Sequence, residues 1–169
     1  LLSGAGSILN QSVRPRDADS KGFMFDYDVA LKRTFTPRTH ELSTEFRFNR
    51  AHDEDTNTER QLVSSGGYTD GKIDRNDALT QQVTGQVDYV KALRPRTKLE
   101  TGWKSSERWI DRDYIVTIDP TGNGAWGPSP LSNKLEFDEG VHAIYAVMSQ
   151  GVQKWDLQAG LRGEYSNRT

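Results

Sequence analysis

Serine, histidine and carboxylate side chains are where catalysis would start, and in this sequence none of them stands in a catalytic pattern. Ser64-Ser65 and Ser105-Ser106 lack the G-x-S-x-G turn that lifts a nucleophile clear of a strand. There is no G-x-G-x-x-G and no phosphate-binding G-x-x-x-x-G-K-[ST], and Gly122-Asn123-Gly124 is a turn signal. His40, His52 and His142 are scattered, without the close pairing of a metal site. Cys is absent, which excludes disulfides, zinc–thiolate sites and cysteine nucleophiles. The acidic runs Asp53-Glu54-Asp55 and Asp70, Asp74, Asp77 invite calcium. However, Asp70-Gly71-Lys72-Ile73-Asp74 breaks the D-x-[DN]-x-[DN]-G order of a calcium loop, so these acids read as solvated. No enzyme, cofactor or metal centre is expected.

Binding chemistry is better represented. Asp111, Arg112, Asp113 and Tyr114 put charge and an aromatic ring beside Trp109. Trp126 stands between Gly124 and Pro128, in a Gly/Pro-rich stretch. A Trp on such a backbone is either anchored to a local core or free to stack on a ligand. Asp111, Asp113, Tyr114 and Trp126 are the candidate ligand-contacting residues. Asp26, Asp28, Lys32, Glu45, Arg47, Asp88, Lys104, Arg108, Arg162 and Glu164 share the polar faces of their segments and read as a solvated wall with cross-strand charge ladders. His142 falls on the same polar face by this reading.

Those faces exist because the sequence alternates with period two. Phe23, Phe25, Tyr27, Val29 and Leu31 interleave with Met24, Asp26, Asp28, Ala30 and Lys32, as a strand with one apolar face requires. After Thr36-Pro37-Arg38-Thr39-His40 the pattern resumes, with Leu42, Thr44, Phe46 and Phe48 on one face. Further strands are expected over 80–93, 98–110, 136–149 and 154–166, in addition to 22–35 and 41–52. The last is the cleanest, with Trp155, Leu157, Ala159, Leu161 and Tyr165 against Lys154, Asp156, Gln158, Arg162 and Glu164. Arg94-Pro95-Arg96-Thr97 and Gln150-Gly151-Val152-Gln153 are turns. The polar stretches 53–79 and 111–135 are expected as long loops.

The 169 residues fit one domain, and 34% hydrophobic content is too low for a large two-sided core. A mean hydropathy of -0.77 leaves no room for a helical span. Membrane strands escape that test, because only every second residue meets lipid. A net charge of -2 gives nucleic acid no basic surface to bind. The expected strands, of about 12–14 residues, are long enough to cross a bilayer, and short turns alternate with long loops.

The last third resembles TonB-dependent receptor barrels of the bacterial outer membrane. Lys98-Leu99-Glu100-Thr101-Gly102-Trp103-Lys104-Ser105 is similar to that family's K-L-E-x-G-aromatic-K-S strand. Phe137 to Ala146 resembles F-x-Y-x-E-x-I-x-A-A-Y, with Glu139 one residue early. Trp155 to Tyr165 contains the G-L-R-x-E pattern at Gly160-Leu161-Arg162-Gly163-Glu164. The resemblance implies a plugged barrel of about 22 strands that imports a scarce nutrient using inner-membrane energy passed through TonB.

The expected fold class is therefore all-β: antiparallel up-and-down strands of a transmembrane β-barrel, with short periplasmic turns and long extracellular loops. Residues 1–169 would be part of that barrel, about six strands, without the plug domain or a TonB box. Leu1 opens the sequence without Met or a signal peptide, as an excised piece would. The expected partners are outer-membrane lipid, a small-molecule or oligomeric nutrient, and the TonB system through the parent's plug. A soluble β-sandwich or adhesin-like module is the alternative, and would require a shared inner core. A barrel-borne esterase or protease would require a nucleophile–base pair.

Overall fold

The computed structural model describes residues 12–37, 39–64 and 66–169. Arg38, expected in a turn, and Ser65, expected in a long loop, lie outside the described residues. Six long strands carry the fold: β2 (Arg16–Thr36), β3 (His40–Val63), β4 (Tyr68–Arg94), β5 (Thr97–Asp119), β7 (Asn133–Val152) and β8 (Trp155–Arg168). Two residue pairs, β1 (Ser12–Val13) and β6 (Gly127–Pro128), add short bridges. All belong to one open sheet ordered β1-β3-β4-β5-β7-β8, with β2 also on β3 and β6 on β5.

The number and order of long strands match the sequence expectation, but their lengths do not. The stretch 53–79, expected as a loop, is a hairpin. β3 runs on to Val63 and β4 starts at Tyr68. The Val63 N–H donates to the Gly67 carbonyl at 3.1 Å. The stretch 111–135 likewise begins as β5 and turns irregular only after Asp119. Strand pairing needs backbone partners, whereas apolar alternation needs an apolar medium on one side. Where both faces are polar the ladder continues and the hydropathy signal stops.

The chain divides into two compact units. Unit 1 comprises the residues up to Phe23 with Ala51–Leu79 and Asp111–Glu136, and unit 2 comprises Met24–Arg50, Thr80–Ile110 and Phe137–Thr169.

Unit 2 has two unlike faces. Antiparallel pairing of β7 with β8 sets Ile144 opposite Gly163, Ala146 opposite Leu161, Met148 opposite Ala159 and Val152 opposite Trp155. Directly opposed residues share a face. Phe25 meets Phe48 at 6.3 Å and Tyr27 meets Phe46 at 6.5 Å, on the same pattern. These side chains stay open: Leu161 is 85% exposed and Trp155 72%. The apolar core of the described residues is Val116 and Ala143 alone, which removes the shared inner core of a β-sandwich.

Unit 1 is held by polar ladders. Arg16 Nη2 donates to Asn57 at 2.7 Å, and Asn57 Nδ2 donates to Asp74 at 3.1 Å. Lys72 Nζ lies 2.9 Å from Asp74. Burial opposes ionisation of Asp74, but the Lys72 and Asn57 hydrogen bonds outweigh it and hold the carboxyl below the usual carboxylate range.

Candidate functional site

Trp126, the aromatic singled out by sequence, lies between β5 and β6 in unit 1. Its ring rests on Gly71 of β4, where a Cβ would stand 2.7 Å from the indole. The Arg60 guanidinium covers the ring at 5.5 Å and the Tyr68 ring at 5.4 Å. These residues, with Asp70 and Asp119, line a cleft of about 40 Å³. Ligand pockets run to about 300–1,000 Å³, so the cleft admits little more than water. The packed side of the indole is thus an anchor.

Asp119 builds the loop that carries Trp126. It is buried, at 3% exposure, at the end of β5. Gly124 N–H donates to its Oδ2 at 2.7 Å and Thr121 N–H to its Oδ1 at 3.3 Å. Burial pushes its carboxyl up, and the N–H donors of Gly124, Thr121, Gly122 and Asn123 pull it further down, to a net value below the usual range. Gly122 has φ +68°, and a Cβ there would collide with the Tyr68 carbonyl. The Asp119-Pro120-Thr121-Gly122 run carried this Asx-turn signal, and Arg60, Tyr68 and Gly71 carried none.

Asp111, Asp113 and Tyr114 are on strand β5 and not in a loop. Asp111 lies 3.9 Å from Lys134, which also meets Glu136 at 2.6 Å. The Glu136 hydrogen bond first, then Asp111, raise the Lys134 ammonium above its ordinary value, with Asp113 adding a weaker attraction. Tyr114 is half-buried. Among the described residues no hydrogen bond, ion pair or ring contact joins Trp126 to the other three candidates.

The polar face of unit 2 forms a groove of about 500 Å³, lined by Asp26, Asp28, Arg47, Gln82, Thr84 and Lys104 among others. Arg47 pairs with Asp28 at 3.0 Å, and Gln82 donates to Ser106 at 3.0 Å. Tyr145 OH donates to Asp88. Arg108 and Arg168 share Glu139 at 2.8 and 2.7 Å. Lys32 reaches Glu41 at 2.8 Å, and Arg162 bonds Glu164 at 2.7 Å. The Arg47–Asp28, Lys32–Glu41, Arg108–Glu139 and Arg168–Glu139 pairs run between strands, as expected of the wall, whereas Arg162–Glu164 lies within β8.

Two histidines depart from expectation. His142 is directly opposite Tyr165 and stacks on it at 6.2 Å, so it lies on the apolar face and not the polar one. β7 is apolar on both faces, so alternation could not place it. There its Nδ1 is 2.8 Å from Ser105 Oγ and its Nε2 3.3 Å from Glu107. A serine–imidazole–carboxylate contact therefore exists where none was expected. Both elements lie inside the sheet, β5 between β4 and β7 and β7 between β5 and β8. His52, scattered in sequence, is brought by the β3–β4 pairing to Asp77.

A sequence model of the outer membrane protein beta-barrel family matches residues 33–169. Solved structures that resemble the chain include the unliganded crystal structure of the ferric citrate transporter FecA. The two are 14% identical, the match covers 76% of this chain and 21% of that one, and the TM-score is 0.35. This chain therefore spans about a fifth of the length of that structure. No curated protein matches it.

Proposed function

Because this chain belongs to the outer membrane protein beta-barrel family, and so to the bacterial outer membrane, we propose that it forms part of the wall of a nutrient importer of the TonB-dependent receptor type. The observation that carries this reading is the two-faced sheet of unit 2. Exposed Leu, Trp, Phe and Ile side chains on one face suit hydrocarbon, and the ion-paired wall on the other suits an aqueous lumen. The strand lengths agree. The shortest contribution to unit 2 from β2, β3, β4, β5 or β7 is the 11 residues His40–Arg50, and about 9–11 tilted residues cross a bilayer.

In this reading residues 1–169 are one arc of a larger barrel. The open edges at β2 and β8 pair with further strands of the parent, as closure in lipid requires. The short connections between β2 and β3, between β4 and β5 and between β7 and β8 face the periplasm. Asp111, Asp113 and Tyr114 meet a small-molecule or oligomeric nutrient, and Trp126 both anchors the outer loop and offers its open edge to that ligand. A plug in the parent protein takes energy from TonB. The chain performs no catalysis.

Uptake by cells expressing the parent protein tests this proposal. Uptake of the limiting nutrient should fall when the inner-membrane proton gradient is collapsed. Uptake that persists at full rate without the gradient would reject energised import and leave a passive pore.

A further inference from the structure

Unit 1 holds an arrangement that transport does not use. Among the described residues, His52, Glu54 and Asp77 form a group of three whose ligand atoms all lie within 4.8 Å of one another. Both carboxylates approach the same imidazole nitrogen: Nε2 is 2.7 Å from Asp77 Oδ1 and 3.8 Å from Glu54 Oε1. One N–H can serve only the nearer of them well. A metal ion held at about 2.0–2.2 Å by each group would set the donor atoms roughly 3–3.5 Å apart. The two contacts bracket that spacing, and the Glu54 and Asp77 oxygens lie within 4.8 Å of each other, so the three groups stand near enough to converge on one ion.

The backbone favours the same arrangement. His52 and Glu54 stand two apart on β3 and so project from one side of the strand, and Asp77 comes from β4 next to it. All three remain accessible, with side-chain exposures from 37% to 60%. Unit 1 carries 8 basic and 13 acidic residues, so its field attracts cations. One imidazole and two carboxylates suit a borderline divalent ion such as Zn²⁺ better than Mg²⁺ or Ca²⁺, which prefer all-oxygen shells.

We propose that His52, Glu54 and Asp77 form a binding site for a divalent transition-metal ion, completed by water, that ties β3 to β4 in unit 1. The site is independent of the importer reading. An ion that binds only the folded hairpin stabilises it by mass action.

Calorimetric titration of the parent protein in detergent micelles with Zn²⁺ tests the site, with His52→Ala, Asp77→Asn and, as a control, His142→Ala. Heat-modifiable gel mobility checks that each variant is folded. The wild type should take up one Zn²⁺ that His52→Ala weakens at least about tenfold. Asp77→Asn should weaken it measurably, and His142→Ala should leave it unchanged. Amide exchange in 51–63 and 68–79 should slow on adding Zn²⁺. No saturable binding by the wild type, or binding equal in His52→Ala and wild type, would overturn the proposal.

Discussion

The two units use the same strands for opposite purposes. β3 contributes Leu42, Phe46 and Phe48 to unit 2, then His52, Glu54 and Asp55 to unit 1, without a break in strand structure. Unit 2 holds 14 basic and 11 acidic residues against 8 and 13 in unit 1, so net charge changes sign between them. Backbone pairing is common to both and cannot account for the difference. The medium can. Hydrocarbon on one face selects apolar residues at every second position, and water on both faces allows polar ladders such as Arg16–Asn57–Asp74.

The largest expected effect is a charge placed on the apolar face of unit 2. Leu161→Arg should cost about 2–4 kcal/mol of folding stability in lipid vesicles if Leu161 sits near the bilayer midplane. Ile115→Arg, an exposed apolar position of unit 1, should cost less than about 1 kcal/mol by the same denaturant titration. Equal costs would erase the distinction between the units.

Truncating the anchor in unit 1 comes next. Trp126→Ala removes the ring from Gly71 and from Arg60, a loss of about 1–3 kcal/mol. It should be local. Limited proteolysis within 120–132 should speed up several-fold while heat-modifiable mobility stays unchanged. A variant that loses barrel assembly would mean that the loop supports unit 2 as well.

The smallest effect is a pH dependence confined to unit 1. Asp74 and Asp119 are held below the usual carboxylate range in the folded state. A group whose folded pKa is depressed contributes stability that is complete above its unfolded pKa. That contribution disappears as pH falls through the folded value. Fluorescence unfolding from about pH 7 to about pH 3 should therefore loosen unit 1 in acid, and Asp74→Asn should flatten the change. A profile identical in wild type and Asp74→Asn would remove Asp74 from the account.

These contrasts explain what the sequence could disclose. β8 was legible because Trp155, Leu157, Ala159, Leu161 and Tyr165 alternate strictly with polar residues, and its register with β7 preserves that order. The extensions of β3, β4 and β5 were not legible, because a strand wet on both faces has no period to read. Of the candidate contacts, Trp126 stood out through its Gly/Pro setting, yet its partners Arg60 and Gly71 are far away in sequence. His52 and Asp77 meet across 25 positions, and only strand pairing brings them together.

The most direct test introduces cysteine into residues 1–169, which contain none of their own, with any cysteine elsewhere in the parent replaced by Ser. Single cysteines at positions 157 to 162 of β8, in the parent protein in whole cells, would be labelled with a membrane-impermeant thiol reagent. The account predicts labelling at 158, 160 and 162, which face the lumen, and protection at 157, 159 and 161, which face lipid. Uniform labelling at all six positions, or the inverse pattern, would contradict it.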